Sequence, residues 1–527
     1  MLRLWPMAVK EGRIVFLGTE KTARKICDEN TAVLDYGKNT VYPGFMDAHT
    51  HGLMAGQRLA IEFDLSDGSS MQDYVDITKQ YIDSHPGRTC YKGAGWNEYE
   101  EPTAAMLDAV CSDAPILLTS SDAHSCWLNS CALKQCGFDA QKAKEMGYDL
   151  VHVDENGNPS GRLCEAAGQK AREAFQPNLE EIKEGLLAWQ EFAFSQGMTG
   201  VGECLLDMYE DGLKAYDELN REGKWKLRTY AYPTCREIVL GGRVSELGDH
   251  LLGLKQKYDS DHFRIMGYKV VLDGVVEAHT AYMEEDYADQ PGYKGVLNIK
   301  DQDKLNELVL TVNKAGLPVH THAIGDGAVR MILDAYEYSE TETFNFELRN
   351  AACHLQCVRN EDFARFADYN VVAVVAPLWV PVEQPFFDNE IEYLGKDRAW
   401  NEYPIGSFVD AGATIAFHTD YPVTPNMNAP RSIYTAVKRG APDKGPESVK
   451  NPDEGILPIA ALLASTINCA YLFKVENELG NFRIGKKADA TVFDRDFQDL
   501  DDLYHVDETK LVATIIDGEE VYRAKTE

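Results

Sequence analysis

The chain has 527 residues, and its 52 Lys+Arg against 85 Asp+Glu leave a formal charge of −33, which argues against nucleic-acid binding, since phosphate contacts require a basic face. With 44% hydrophobic, 10% aromatic and 26% charged residues it has the composition of a globular protein able to build a large core. The longest apolar runs, such as Val371–Ala376 and Ala114–Leu118, fall far short of the roughly 20 residues a membrane span needs.

In chain order, the first 40 residues alternate short apolar pieces with turn residues, as in Ala8–Gly18 and Ala32–Gly37, and so do the last 45, in Ala488–Asp494 and Val512–Tyr522. This pattern predicts that both termini contribute strands to one small β-domain. The start, Met1–Pro6, lacks the apolar core of a secretory signal. Twelve cysteines without CxxC pairs read as reduced thiols of a cytoplasmic protein. Between the ends, β-rich runs alternate with helical stretches, the pattern of βα units around a parallel sheet. Eight candidate strands end near His49, Glu203, Tyr232, Leu272, His322, His354, Val375 and Asp420, the count of a TIM-type barrel. About 150 residues separate the first two, too many for one loop, and strand-like runs at Tyr91–Gly95 and Ile116–Thr119 mark an inserted subdomain.

His49, His51, Lys269, His322, His354 and Asp420 all fall at or just past strand C-terminal ends, where an α/β barrel builds its active site. His49 and His51, at i and i+2, face one side of a strand and can grip one metal ion. Histidines and a carboxylate from neighbouring strands complete a nitrogen/oxygen site suited to Zn, Mn, Fe or Ni. Each histidine taken alone also reads as a core residue; six coordinated placements are harder to read that way.

Pro43-Gly-Phe-Met-Asp-Ala-His-Thr-His51 resembles the first-strand metal motif of the amidohydrolase superfamily. Ser121-Asp-Ala-His-Ser-Cys-Trp-Leu-Asn129, Lys269-Val-Val-Leu-Asp-Gly274, His322-Ala-Ile-Gly-Asp326, Thr419-Asp-Tyr-Pro-Val423 and the segment Leu479–Asp489 resemble, in order, motifs of its amidohydrolase 3 branch, which holds YtcJ-like and N-substituted formamide deformylase-like proteins.

The resemblance implies an α/β fold: a (β/α)8 TIM-type barrel (43–54 plus 181–477), a small β-sandwich formed by both termini (1–42 plus 478–527) and an inserted subdomain (55–180) after the first barrel strand. It implies a binuclear centre, two Zn or else Mn, Fe or Ni, with His49 and His51 on the buried ion and His322 and His354 on the exposed one. Lys269 matches the position that CO2 carboxylates to bridge the ions; its alternative is an unmodified lysine in a mononuclear site. Asp420 would touch the buried metal and act as the catalytic proton carrier. The implied activity is hydrolysis of a non-peptide C–N bond (an amide, formamide or cyclic amide) of a small molecule through a metal-activated hydroxide. Alternatives are a mononuclear-type deaminase, a lactone or ester hydrolase, or a non-catalytic barrel relative. Substrate-binding candidates are Trp96, Asp122, His124, Arg162 and Trp379, and a homodimer fits the family. His418 stands where such proteins commonly have Gly. His320 reads as a supporting or core residue, and Glu203 points either into the mouth or into the barrel layers.

Overall fold

The structure is a computed structural model that describes residues 6–97, 100–121 and 124–525. Two compact units partition the chain. One comprises 1–52, 190–207 and 220–527, the other 53–189 and 208–219.

In the first unit, nine parallel strands form two sheets. Four run in the order Phe263–Ile265, Arg228–Ala231, Met198–Glu203, Phe45–Thr50. Five run in the order Tyr268–Val271, Val319–Ala323, Ala351–His354, Val372–Val375, Ile415–Phe417. All eight expected strand ends belong to these sheets. The additional strand, Phe263–Ile265, is separated from Tyr268–Val271 only by Met266 and Gly267. A Cβ at Gly267 would lie 1.9 Å from the Pro318 carbonyl oxygen, so only glycine allows this close passage. At the other margin, Asp420 N donates to His49 O at 3.1 Å and His51 N donates to Tyr421 O at 2.9 Å, which ties the end of the last strand to the first. Strands of this kind are buried on both faces and read as continuous apolar runs. Met46 and Ala48 from one sheet accordingly meet Ala351, Cys353, Val372, Val374 and Ala416 from the other in one buried cluster.

The chain ends share an antiparallel sheet in the order Glu519–Arg523, Leu511–Ile516, Ala490–Phe493, Thr40–Pro43. Its alternating residues Ala490, Val492, Ala513 and Ile515 are buried together. The hairpin Met7–Lys10/Arg13–Leu17 is held to the C-terminal segment by Ile14 N donating to Lys486 O at 2.8 Å.

The second unit is built on a mixed sheet in the order Glu62–Asp64, Tyr91–Trp96, Ile116–Ser120, Ser125–Leu128, Pro159–Cys164, Val151–Val153. Its helix Met71–Ser84 starts at Ser70, whose side chain accepts from Asp73 N, a capping arrangement that satisfies an otherwise orphaned donor. Among the described residues no helix is long and apolar enough to cross a membrane.

Candidate metal centre

Parallel strands present their reactive side chains where they end, in the crevice beyond their C-terminal edge. Here five strands of the first unit deliver His49 and His51, Lys269, His320 and His322, His354, and, past Phe417, His418 and Asp420 to one place. His49 is at its centre. Its Nε2 lies 3.3 Å from both Lys269 Nζ and Asp420 Oδ1. Its Nδ1 lies 2.8 Å from His320 Nε2 and 3.2 Å from Cys353 Sγ. Asp420 Oδ1 is 2.9 Å from His51 Nε2. His354 sits with its ring centroid 5.0 Å from His49, 4.4 Å from His322 and 4.9 Å from His418. His49, His51 and Asp420 offer ligand atoms within 4.8 Å of one another, and so do His49, Cys353 and His354.

The electrostatics favour electron-pair donors. Burial, then the charge on Lys269, holds His49 far below the usual imidazole range and lowers His322 to about 4. Burial does the same to His320, to His354, where His322 and His418 add to it, and to His418, lowered to about 3. These rings are therefore neutral at pH 7. Burial pushes Asp420 upward, but contact with His51 outweighs it and the carboxyl is held below its ordinary value. His51 Nδ1, His354 Nδ1 and both nitrogens of His418 are buried without a hydrogen-bond partner among the described residues. Buried polar atoms are normally satisfied. Neutral imidazoles, orphaned nitrogens and a carboxylate within this space suit a divalent cation.

The backbone carries strain at the same place. His354 (φ 81°) and Asp420 (φ 58°) are both left-handed, a conformation that costs a non-glycine residue about 1 kcal/mol or more and gathers at functional sites. The Asp420 turn is clamped by Asp47, a residue of the first-strand motif that the sequence reading gave no role. The Asp47 carboxylate accepts from His49 N at 3.0 Å, from Thr419 N at 3.1 Å and from Thr419 Oγ1 at 2.6 Å. Asp273 acts likewise, accepting from Ile324 N at 3.1 Å, Gly325 N at 2.9 Å and Tyr282 N at 3.0 Å. Burial raises both carboxyls to about 7. The signal for each was its place inside a quoted motif, Met46-Asp47-Ala48 and Leu272-Asp273-Gly274.

Residues 32–522 match the family model Amidohydro_3, described as an amidohydrolase family. The chain belongs to the amidohydrolase family. Three relatives share its length: Protein LONG AFTER FAR-RED 3 of Arabidopsis thaliana, 28% identical over 98% of this chain and 88% of its own; the putative amidohydrolase YtcJ of Bacillus subtilis, 26% over 98% and 95%; and the N-substituted formamide deformylase of Arthrobacter pascens, 24% over 97% and 93%. A solved metal-dependent hydrolase from Pyrococcus furiosus superposes with a TM-score of 0.76 at 26% identity, covering 94% of this chain and 95% of that one.

Within this amidohydrolase, the remaining candidates are placed as follows. Trp379 lies against the histidine cluster: its ring stacks on His354 at 5.5 Å and 10°, it meets His418 edge-on at 5.5 Å, and its Nε1 donates to Thr424 Oγ1 at 2.8 Å. Trp96, His124 and Arg162 belong to the second unit, where they line one cavity of about 460 Å³. Trp96 is fully buried, with Nε1 donating to Leu118 O at 3.0 Å, and the exposed His124 faces Glu165. Asp122 lies outside the described residues. Glu203 is buried at the end of its strand and accepts from Leu205 N at 3.0 Å. His320 faces His49 Nδ1, so a proton kept on that nitrogen leaves His49 Nε2 as a donor of its electron pair.

The depressed imidazoles have a consequence for the metal-free protein. His418 has its pKa lowered to about 3 against about 6.5 in an unfolded chain. Unfolded chains therefore bind the proton first, and the stability this group contributes is complete above pH 6.5 and lost as pH falls towards 3. Between pH 7.5 and 5 the wild type should lose about 2 kcal/mol that His418→Gln does not lose. Urea denaturation of both chelated proteins at the two pH values checks this; a stability difference that stays constant with pH contradicts it.

Proposed function

We propose that this protein is a metal-dependent hydrolase of a non-peptide C–N bond in a small molecule, an amide, formamide or cyclic amide, working in the cytoplasm. The observation that carries this reading is the cluster of neutral imidazoles with Asp420 and Lys269 at the ends of parallel strands. The two parallel sheets, joined through Met266–Gly267 on one side and Asp420–His49 on the other, are read as arcs of one eight-stranded barrel, with the antiparallel sheet of the termini as its sandwich domain. Similarity to a formamide deformylase and to a metal-dependent hydrolase supports the activity, and twelve free cysteines suit a reducing compartment.

His49, His51 and Asp420 would hold one divalent ion and His322 and His354 a second, and Lys269, 3.3 Å from His49 Nε2, would add anionic oxygens to the site as a carbamate formed with CO2. Zinc, or Mn, Fe or Ni, bound there lowers the pKa of water towards neutrality and polarises a carbonyl oxygen. Asp420 Oδ1, beside His51 and His49, accepts the proton of the attacking water and passes it to the departing nitrogen. Its strained, clamped turn holds that oxygen in place as the proton moves. Trp379, packed on His354, gives the substrate an apolar wall and excludes water. Asp47 and Asp273 fix the turns that carry Asp420 and follow His322.

Elemental analysis by plasma mass spectrometry tests the centre. About two ions per chain are expected, falling to one or fewer in Lys269→Ala. One ion indifferent to Lys269 overturns the bridged centre and favours a mononuclear deaminase-like enzyme; no metal at all overturns the hydrolase reading. Release of amine from N-formyl, N-acyl and cyclic amides then tests the bond cleaved.

A further inference from the structure

In the second unit, one face of the mixed sheet carries a closed ring of five polar side chains. Along Pro159–Cys164, Leu163 packs into the apolar core beside Cys126 and Val151. Strand alternation therefore sends Arg162 and Cys164 to the opposite face. The antiparallel register sets Cys164 against Ser125. His152, between Val151 and Val153 on the next strand, turns to the same face. Glu101, ahead of the helix Ala104–Asp108, closes the ring.

The contacts run continuously around it. Glu101 Oε1 lies 2.6 Å from His152 Nδ1. His152 Nε2 lies 3.8 Å from Cys164 Sγ, and that sulfur lies 3.5 Å from Ser125 Oγ. Arg162 Nη2 donates to Ser125 Oγ at 3.5 Å and Arg162 Nη1 to Glu101 Oε2 at 3.2 Å. Cys164 is partly exposed, lines the 460 Å³ cavity with Arg162, Ser125, Ser121 and His124, and precedes the helix Glu165–Ala174 at its N-cap position, with no capping bond from the sulfur. The charged and titratable groups around the sulfur, among the described residues, include Glu101, His152, Arg162, His124 and Glu165, with Cys126 on the other face of the sheet.

A carboxylate that orients a histidine whose far nitrogen meets a thiol is the arrangement that activates a sulfur nucleophile, and a helix N-terminus favours developing negative charge on it. We propose that Cys164 is a reactive thiol that hydroperoxides oxidise to the sulfenic acid, with His152 as its base and Arg162 as the cation beside the peroxide. The polar lining, with Ser125 and Arg162 as donors next to the sulfur, favours a small polarised oxidant over an apolar carbon electrophile. In the step, the Sγ proton passes to His152 Nε2 as sulfur attacks one peroxide oxygen. The S–O bond forms and the O–O bond breaks. The leaving oxygen takes the proton back from His152 and departs as water or an alcohol, so sulfur loses two electrons and the peroxide gains them. Cys126 lies on the core side of the sheet, so return to the thiol falls to an external thiol.

Hydrogen peroxide on the full-length protein, with dimedone trapping resolved by peptide mass spectrometry, tests this. Cys27, Cys111 and Cys131, also outside the buried set, serve as internal references. Cys164 is expected to be trapped at least roughly tenfold faster than they are at pH 7. His152→Gln should remove that advantage at pH 7 and change little at pH 10, where ordinary thiols ionise unaided. Glu101→Gln should act in the same direction and stands in should His152→Gln fail to fold. Arg162→Gln should slow peroxide but not iodoacetamide. Trapping of Cys164 no faster than Cys131, an effect of His152→Gln and Glu101→Gln equal at both pH values, or equal slowing of peroxide and iodoacetamide in Arg162→Gln, overturns the proposal.

Discussion

Asp420→Asn is expected to lower kcat by roughly a thousandfold, within the range that loss of a positioned proton carrier produces, with KM within a few-fold of wild type. The substitution is nearly isosteric, and asparagine tolerates a left-handed backbone as well as aspartate does, so the φ of 58° at this position survives. The main-chain bond from residue 420 N to His49 O and the Asp47 clamp on Thr419 do not involve the side chain that changes. What is lost is a basic oxygen 2.9 Å from His51 Nε2. Folding should therefore be intact, shown by an unchanged thermal midpoint of the metal-free protein. The measurement is steady-state kinetics on the best substrate from the amide screen. A loss of less than tenfold would remove Asp420 from the chemistry.

Asp489→Ala is expected to destabilise the protein by about 3–5 kcal/mol, the cost of leaving a buried charge without its partner. Arg228, on a parallel strand of the first unit, is almost wholly buried. Its Nε and Nη2 reach the two Asp489 oxygens at 2.5 and 2.8 Å, a bidentate pair. Nη2 also reaches Asp517 Oδ1 at 2.8 Å, and His262 Nε2 lies 3.1 Å from Asp517 Oδ2. Burial alone would raise the Asp517 carboxyl, but His262 and Arg228 together hold it well below its ordinary value. Asp517 alone is therefore a poor substitute, being more exposed and shared with His262. The double variant Arg228→Met/Asp489→Leu should recover much of the loss, since an apolar pair avoids the desolvation that makes a broken ion pair so costly. Urea midpoints at pH 7 decide the matter, and a loss below about 1 kcal/mol in Asp489→Ala would show that water reaches Arg228.

Much of this was legible in local sequence. The i, i+2 spacing of His49 and His51, the alternation of short apolar runs with helical stretches, and histidines recurring at predicted strand ends each follow from a period of two residues or from the chemistry of one side chain. The pairing of the two chain ends was also legible, because both show strand-and-turn patterns too small to bury a core alone. The quoted motifs led to the family and so to Lys269 and Asp420.

Other features were decided only by the tertiary structure. Asp47 reads as one more polar residue in an apolar strand until the fold brings Thr419, 372 positions away, against its carboxylate. His320 shares a strand face with His322, yet it turns to His49 while His322 meets the carbonyl of Gly274 at 3.0 Å. Trp96 reads as an aromatic wall, and only the fold shows that it is fully buried, with its Nε1 donating to Leu118 O, while it lines a cavity of the second unit. Cys164 looks like one of twelve scattered thiols until strand register sets it between His152 and Ser125. The physical reason is common to these cases. A periodicity states which face of its own element a residue occupies, whereas the partner it meets depends on how distant strands are aligned, and that alignment is chosen by the packing of the whole core.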